Sequence, residues 1–161
     1  MPVDSTLQRK IMGHFATGVT VITTRVGDEL FGMTANAVAS LSLNPPLVLV
    51  CVDKRAAMFE YLRTSKVYAM NFLAESQEAI STRFAMKGPK EFRDLDWFAA
   101  ETGSPVFRDS LAYLDCRVVD VAAGGDHDIF IGEIIDGGLL RATDHPLLYY
   151  SGKYQKLAPA E

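Results

Sequence analysis

The chain has 161 residues, 48% of them apolar and 22% charged, with a net charge of −4 and two cysteines. A chain of this size and ordinary soluble composition is expected to form one domain over 1–161. It buries about 70% of the surface its unfolded form exposes, so no disulfide or metal staple is required. The acidic balance argues against a general binder of nucleic acid or anionic membrane, which needs a positive field, and the longest apolar run, LVLVCV at 47–52, is far too short to span a bilayer.

The N-terminal MPVDSTLQRK lacks the apolar segment of a secretory leader, and Cys51 and Cys116 each lie inside an apolar run. Together these point to buried free thiols and a cytoplasmic protein. Leu7, Ile11 and Phe15 recur at i, i+4 and i+8 and predict a short helix, with Ser5 and Gln8 as a capping box. VTVITTRV (19–26) is rich in β-branched residues and reads as a strand. After the Gly27-Asp28-Glu29 turn, LFGMTANAVASLSL (30–43) returns as a second extended segment, broken by Asn44-Pro45-Pro46. LVLVCVD (47–53) is the most hydrophobic strand and is expected to be covered on both faces. Residues 55–64 suit a helix with Met58, Phe59 and Leu62 inward, and VYAMNFL (67–73) is another strand. Residues 75–86 form a helix with Ile80 and Phe84 on one face. Gly88-Pro89, Gly103 and Pro105 mark 87–110 as an irregular lobe with a short helix near 90–94, anchored by Trp97 and Phe98. AYLDCRVVDVAA (112–123) alternates, with Leu114, Cys116 and Val118 on one face. Strands at 129–136 and 147–152 complete the chain. Strands that come singly and in hairpin-like pairs, without regular alternation with long helices, favour a closed or nearly closed antiparallel barrel with peripheral helices.

Several chemistries have no signature here. No G-x-G-x-x-G follows a strand, and there is no phosphate-binding G-x-x-x-x-G-K-[ST], nucleophile elbow, H-E-x-x-H or Cys-x-x-Cys. No metal is expected. His14 falls near the polar edge of the first helix and His145 fills a turn before Pro146. His127, in GGDHDIFIGEI (124–134), has a less ordinary setting, with two glycines before it, Asp126 and Asp128 beside it and a strand after it. A solvated turn and an imidazole positioned by carboxylates both fit that pattern. GMTANAVASLSLNPPLVLVCV (32–52) mixes Thr34, Asn36, Ser40 and Ser42 with small alanines, which suits either a water-facing strand or a surface offering amide, hydroxyl and backbone groups to a flat polar ligand.

A set of motifs covering most of the chain, in order, resembles the flavin reductase family of the FMN-binding split-barrel superfamily, the small reductase component of two-component flavin-dependent monooxygenases. They are FATGVTVITT (15–24), GMTANAVASLSLNPPLVLVCVD (32–53), YAMNFL (68–73), Gln77, Ser81 and Phe84 spaced as Q-x-x-x-S-x-x-F, DCRVVDV (115–121), GDHDIFIGEI (125–134) and PLLYYSGKYQKL (146–157). The resemblance implies a mainly β fold with peripheral α: a six-stranded antiparallel Greek-key split β-barrel. It also implies a homodimer with flavin near the subunit interface. Thr34, Asn36 and Ala37 would line the flavin, with Ser40 and Ser42 near its ring or phosphate. Cys51, Val52 and Asp53 would flank it through backbone atoms, and Asn71, Phe72 and Leu73 would form another wall. Gln77, Phe84 and Lys87 would lie near the phosphate end or the rim, Tyr154 near the site, and His127 beside flavin and nicotinamide as the catalytic residue, tuned by Asp126 and Asp128.

The implied activity is reduction of FMN or FAD by NADH or NADPH, with reduced flavin delivered to a separate oxygenase component. One departure concerns the flavin phosphate. Where family members carry Ser or Thr after the core strand, this chain has Ala56 and Ala57, leaving Lys54, Arg55 or the start of the following helix as the expected phosphate contacts. Three other readings share the barrel. They are a bound-flavin reductase of another acceptor such as ferric iron or a cobalt corrinoid, a non-enzymatic flavin module, and a pyridoxine-phosphate-oxidase-like enzyme. The last is disfavoured because 32–43 contains no Lys or Arg. A simple interaction barrel without ligand is a further reading.

Overall fold

The computed structural model describes residues 2–161. It begins with α1 (Ser5–Met12), capped by Asp4, whose carboxylate accepts from the Leu7 N–H at 2.8 Å. The helix starts at Ser5 itself, which moves the cap one residue earlier than the expected Ser5–Gln8 box. Its apolar face buries nothing within this chain. Leu7 and Ile11 are 48% and 54% exposed, and Phe15 beyond the helix end is 70% exposed.

Strand β1 (Thr17–Gly18) precedes the hairpin of β2 (Thr20–Val26) and β3 (Glu29–Ala35), and β4 (Val38–Leu43) pairs with β5 (Pro46–Asp53) in a second hairpin. Pro46, with no N–H to offer, takes the first position of its strand. Helix α2 (Ala57–Ser65) buries Met58, Phe59 and Leu62, the face its sequence predicts. β6 (Val67–Phe72) and a single 3₁₀ turn lead to α3 (Glu78–Ala85), which buries Ser81 and Phe84 and leaves Ile80 half-buried. The irregular lobe contains β7 (Trp97–Ala99) paired with β8 (Pro105–Phe107). No helix forms at 90–94. Arg83 holds that loop instead, donating to both oxygens of Asp94 at 2.8 Å and to the Glu91 carbonyl at 3.1 Å. The long hairpin β9 (Ala112–Gly124) and β10 (His127–Leu139) follows. The last expected strand is a hairpin, β11 (Leu148–Tyr150) and β12 (Lys153–Gln155), turned at Ser151 and Gly152, both at positive φ.

Seven of these strands form one antiparallel sheet in the order β3-β2-β6-β9-β10-β5-β4. The segment 30–43, one extended run in the sequence, is divided at Asn36-Ala37, and its halves occupy opposite edges of the sheet. Laid flat, seven strands span about 29 Å, whereas a two-residue link reaches about 10 Å at most. The sheet must therefore curl until its edges come together at Asn36-Ala37, where the Cys51 N–H donates to the Ala37 carbonyl at 3.0 Å.

The curl encloses a core of Ile22, Val48, Val50, Val52, Leu62, Tyr68, Met70, Cys116 and Phe130. A second cluster, including Val21, Leu73, Phe84, Phe92, Phe107 and Leu147, lies on the opposite face of β2. β2 is accordingly buried on both faces from Thr20 to Thr24. β5 alternates instead: Val48, Val50 and Val52 face the core, while Leu47, Leu49, Cys51 and Asp53 on its outer face are only half-buried. The two-sided cover expected from its hydrophobicity is not supplied within this chain. Asp115, on the outer face of β9, is fully buried because the lobe covers it, with the Thr102 N–H and hydroxyl donating to its carboxylate at 2.8 and 2.6 Å. That burial raises its pKa more than the Thr102 hydrogen bonds lower it.

Tightness of the core is tested at Gly132. A Cβ there would fall on the Tyr68 hydroxyl and within 2.9 Å of the Cys116 Cβ, both fully buried. Gly132→Ala is expected to destabilise the fold by about 2 kcal/mol or more, read from the denaturant midpoint.

Candidate functional site

The seam at Asn36-Ala37 gathers much of the expected site. Both residues are exposed, and the Asn36 amide donates to the Thr17 hydroxyl at 3.3 Å. Thr34, on β3, donates to the Ser81 carbonyl at 2.6 Å, and the Ser81 hydroxyl meets the Tyr154 hydroxyl at 2.7 Å. Tyr154 also makes an edge contact with Tyr149, which is paired with Thr17 across β1 and β11. The start of β1, the end of β3, α3 and the C-terminal hairpin are thus tied to one another around the seam. A hollow of about 360 Å³ opens beside Asn36 between the end of α1 and the β11–β12 turn, lined by Phe15, Tyr149 and Tyr150 among others. That size is within the usual range for small-molecule sites. Ser40 and Ser42 lie further along β4, exposed and half-buried respectively, on either side of a bulge.

Cys51 leads from the seam to His127. It lies opposite Ile129 of β10, and Asp53 lies opposite His127 two residues on, roughly 7 Å further along the strands. By alternation Cys51, Asp53, Ile129 and His127 share the outer face. The half-exposed His127 ring is held through Nδ1, 2.7 Å from an Asp126 oxygen. The Asp126 carboxyl is held below the usual carboxylate range, first by that hydrogen bond and then by the imidazole's charge. Asp128 does not join it. As the next residue of a strand it points to the inner face, where it is buried and faces Lys54 at 3.5 Å.

The cations proposed for a phosphate are already engaged. Arg55 donates to Asp53 through Nε at 3.2 Å and Nη2 at 2.8 Å, and these bonds hold the Asp53 carboxyl far below its ordinary range. Lys54 donates to the Gly125 carbonyl at 2.8 Å. Lys87, by contrast, is exposed, makes no ion pair among the described residues, and borders a shallow cleft of about 610 Å³ with Arg83 and Lys90.

Four residues expected to line the site are packed inside. Asn71 is fully buried. Its amide donates to the Val21 carbonyl at 3.1 Å and the Thr23 hydroxyl at 3.2 Å, and its oxygen accepts from the Phe107 N–H at 2.9 Å, so it fastens the lobe to the sheet. Gln77 accepts from the Ala74 N–H at 2.8 Å, and Leu73 and Phe84 belong to the second core. Phe84 also occupies the space a side chain at Gly32 would need. Val52 faces the first core, leaving only its backbone to a ligand, and Phe72 is half-buried. Thr17, which supports Asn36, is not among the expected site residues, although it lies in the FATGVTVITT motif. Ser81 carries a signal as well, its place in the Q-x-x-x-S-x-x-F spacing.

Residues 12–158 match the model of the flavin reductase like domain. The chain belongs to the flavin reductase family. It is 39% identical over 158 residues to the reductase subunit HsaB of a flavin-dependent monooxygenase from Mycobacterium tuberculosis, covering 98% of this chain and 84% of that one. Flavin reductase PheA2 superposes with a TM-score of 0.89 at 45% identity, over 98% of this chain and all of the other. The Streptomyces globisporus NADH:FAD oxidoreductase SgcE6, in complex with NAD and FAD fragments, gives a TM-score of 0.91 at 37% identity, over 97% and 94%.

The Asp53–Arg55 pair predicts a pH signature for this family member. A carboxyl depressed in the folded state stabilises the fold above the ordinary carboxylate range, and the effect fades as pH falls through it. The melting midpoint of Asp53→Asn is therefore expected to lie slightly below that of the native protein at pH 7. The gap should narrow as pH drops below about 4, as followed by calorimetry.

Proposed function

We propose that this protein is an NAD(P)H:flavin oxidoreductase that reduces FMN or FAD and supplies the reduced flavin to a separate oxygenase. The observation that carries this reading is the outer-face arrangement of His127, fixed by Asp126 about two residues beyond the seam at Ala37. It is supported by family membership over nearly the whole chain and by the reductase-subunit names of the relatives. Bound flavin would supply the redox chemistry, taking a hydride from the nicotinamide; the protein supplies binding, orientation and electrostatics.

The residues present fit such a group. Thr34, Asn36 and Ala37 offer hydroxyl, amide and backbone atoms at an uncovered seam, with Ser40 and Ser42 further along β4. The backbone of Cys51, Val52 and Asp53 continues that wall to the strand end, and Phe72 and Tyr154 border it. Asn71, Leu73, Gln77 and Phe84 shape it from within. Lys87, with its ammonium unpaired, is the residue we assign to the phosphate, since Arg55 is held by Asp53. His127, with Nδ1 held by Asp126, presents Nε2 outward to orient the nicotinamide or to donate a proton as negative charge develops on the flavin.

We infer further that residues 1–161 act as one domain, since the two cores share β2. We also infer a six-stranded split barrel in which the divided 30–43 segment counts as one strand. The acidic chain and the absence of any helix long and apolar enough to cross a membrane, among the described residues, accord with a cytoplasmic enzyme. So does Cys116, a free thiol whose pKa burial pushes up to about 12. We propose a homodimer as well. The outer face of β5 and β10 is apolar where water would favour polar residues, with Leu47, Leu49, Cys51, Ile129 and Ile131 only half-buried. Light scattering at micromolar concentration is expected to give twice the chain mass; a monomer would count against this interface.

The test of function is anaerobic. The protein is mixed with excess FMN or FAD, NADH or NADPH is added, and the oxidised-flavin absorbance is followed. Bleaching of many equivalents is expected. Bleaching of the bound fraction alone would mean a bound-flavin reductase of another acceptor, and none would leave a flavin-binding module. In the same assay His127→Ala is expected to lower turnover about 10–100-fold while flavin affinity is largely kept. Normal turnover with lost affinity would reverse the role given to His127.

A further inference from the structure

We propose that Lys54 is a positioning residue for His127, clasping the β9–β10 turn on both sides of the histidine. This rests on the reading of His127 given above. Three contacts converge on the lysine. Its backbone N–H donates to the Asp126 carbonyl at 3.0 Å, carrying the contact between β5 and β10 one step past the end of β5. Its ammonium donates to the Gly125 carbonyl at 2.8 Å and lies 3.5 Å from Oδ1 of Asp128. The residues held in this way are the two before His127 and the one after it. The strand pairings of His127 with Gly124 and with Asp53 close the hairpin, and the two turn residues between them, Gly125 and Asp126, are held beyond that by Lys54. Gly125 stands at φ +72 with nothing within 4 Å of a Cβ built on it, and Gly124, Gly125 and Asp126 are exposed. Asp126 in turn holds the imidazole through Nδ1, so the contacts run from Lys54 through the Asp126 backbone to the ring.

Asp128 is the second, independent observation. It is only 8% exposed, and its Oδ1 has no hydrogen-bond partner. A buried carboxylate needs a compensating cation, and the Lys54 ammonium is the one placed to provide it. The lysine side chain is 44% exposed, enough to swing into water were it not held. The inward carboxylate therefore draws Lys54 across the end of the sheet and onto the turn. The two aspartates flanking His127 divide the work: Asp126 orients the ring, and Asp128 anchors the lysine that orients the turn.

The experiment compares Lys54→Met, Lys54→Arg and the double variant Lys54→Met/Asp128→Asn. It measures kcat, KM for NADH, flavin Kd, melting midpoint and hydrogen exchange of the amides in 124–128. Lys54→Met is expected to lower kcat about 10-fold with flavin Kd little changed, and to raise exchange in 124–128 by about 10-fold. Lys54→Arg should restore most of both. The double variant, relieved of the unpaired carboxylate, should recover the melting midpoint without recovering kcat. Recovery of kcat along with the midpoint would mean that Lys54 only neutralises Asp128, and would overturn the proposal. Unchanged kcat and exchange in Lys54→Met would overturn it too, while leaving the role of His127 intact. Full turnover in His127→Ala would remove the histidine reading itself, and the proposal with it, even if exchange still rose in Lys54→Met.

Discussion

The two-residue link at Asn36-Ala37 is the constraint on which the rest of the structure depends. It joins strands at opposite edges of a seven-stranded sheet, and so short a connection is compatible only with a curled sheet. Curling creates an inside, and the inside is where Val48, Val50, Val52, Tyr68 and Phe130 are buried. It also creates a seam. At the seam Asn36 and Ala37 lie between strands, exposed, with their backbone only partly engaged, so the feature that closes the core also leaves polar groups accessible. Ala37 leaves the seam uncrowded, while Ala35 packs into the first core.

Charge at the far end of β5 and β10 is distributed in closed pairs. Arg55 is held by Asp53, Lys54 by Asp128 and the Gly125 carbonyl, and the His127 ring by Asp126. Each acid has its own partner because strand alternation separates neighbours: Asp126 and His127 stay at the outer rim while Asp128 turns inward. No cation at this end remains for a phosphate. In the proposed arrangement a flavin with its ring toward His127 would place its phosphate elsewhere, and Lys87, which makes no ion pair among the described residues, is the residue proposed for it. Ala56 and Ala57 follow directly on this corner, whose charged groups are engaged in internal ion pairs.

Much of this was legible in the sequence, for identifiable reasons. Period-2 and period-3.6 patterns located the strands and the inward face of α2, because burial there follows directly from side-chain direction. The division of 30–43 was not legible, since nothing in T-A-N-A-V says that its halves pair with opposite edges; the partners are set by chain closure, a long-range property. The same holds for Asn71. The resemblance implies Asn71 as part of a flavin wall, yet it is buried because the irregular lobe, whose docking no local pattern encodes, brings the Phe107 N–H to it. The cap of α1 missed by one residue, where Asp4, Ser5 and Thr6 are all competent and only the helix start decides among them. His127 was legible as unusual, but the opposite roles of its two aspartates became visible only once its strand was known to begin at the histidine.

The outer face of β5 runs from an uncovered apolar stretch to the candidate site. Its sequence is apolar at every position from Leu47 to Val52, the pattern of a strand covered on both sides, yet one chain covers only one side. The uncovered residues Leu49 and Cys51 continue along the same face to Asp53, and on β10 Ile131 and Ile129 continue to His127. A cover over Leu49 and Ile131 in the proposed dimer would lie on the same face as His127, four residues away along β10. In the proposed dimer, association and the environment of the imidazole would be coupled through this face: water excluded from the apolar stretch would also be drawn away from the ring, strengthening the Asp126 interaction that orients it. A chain held monomeric would retain the fold, since both cores are internal, but would hold His127 in a wetter and less defined setting.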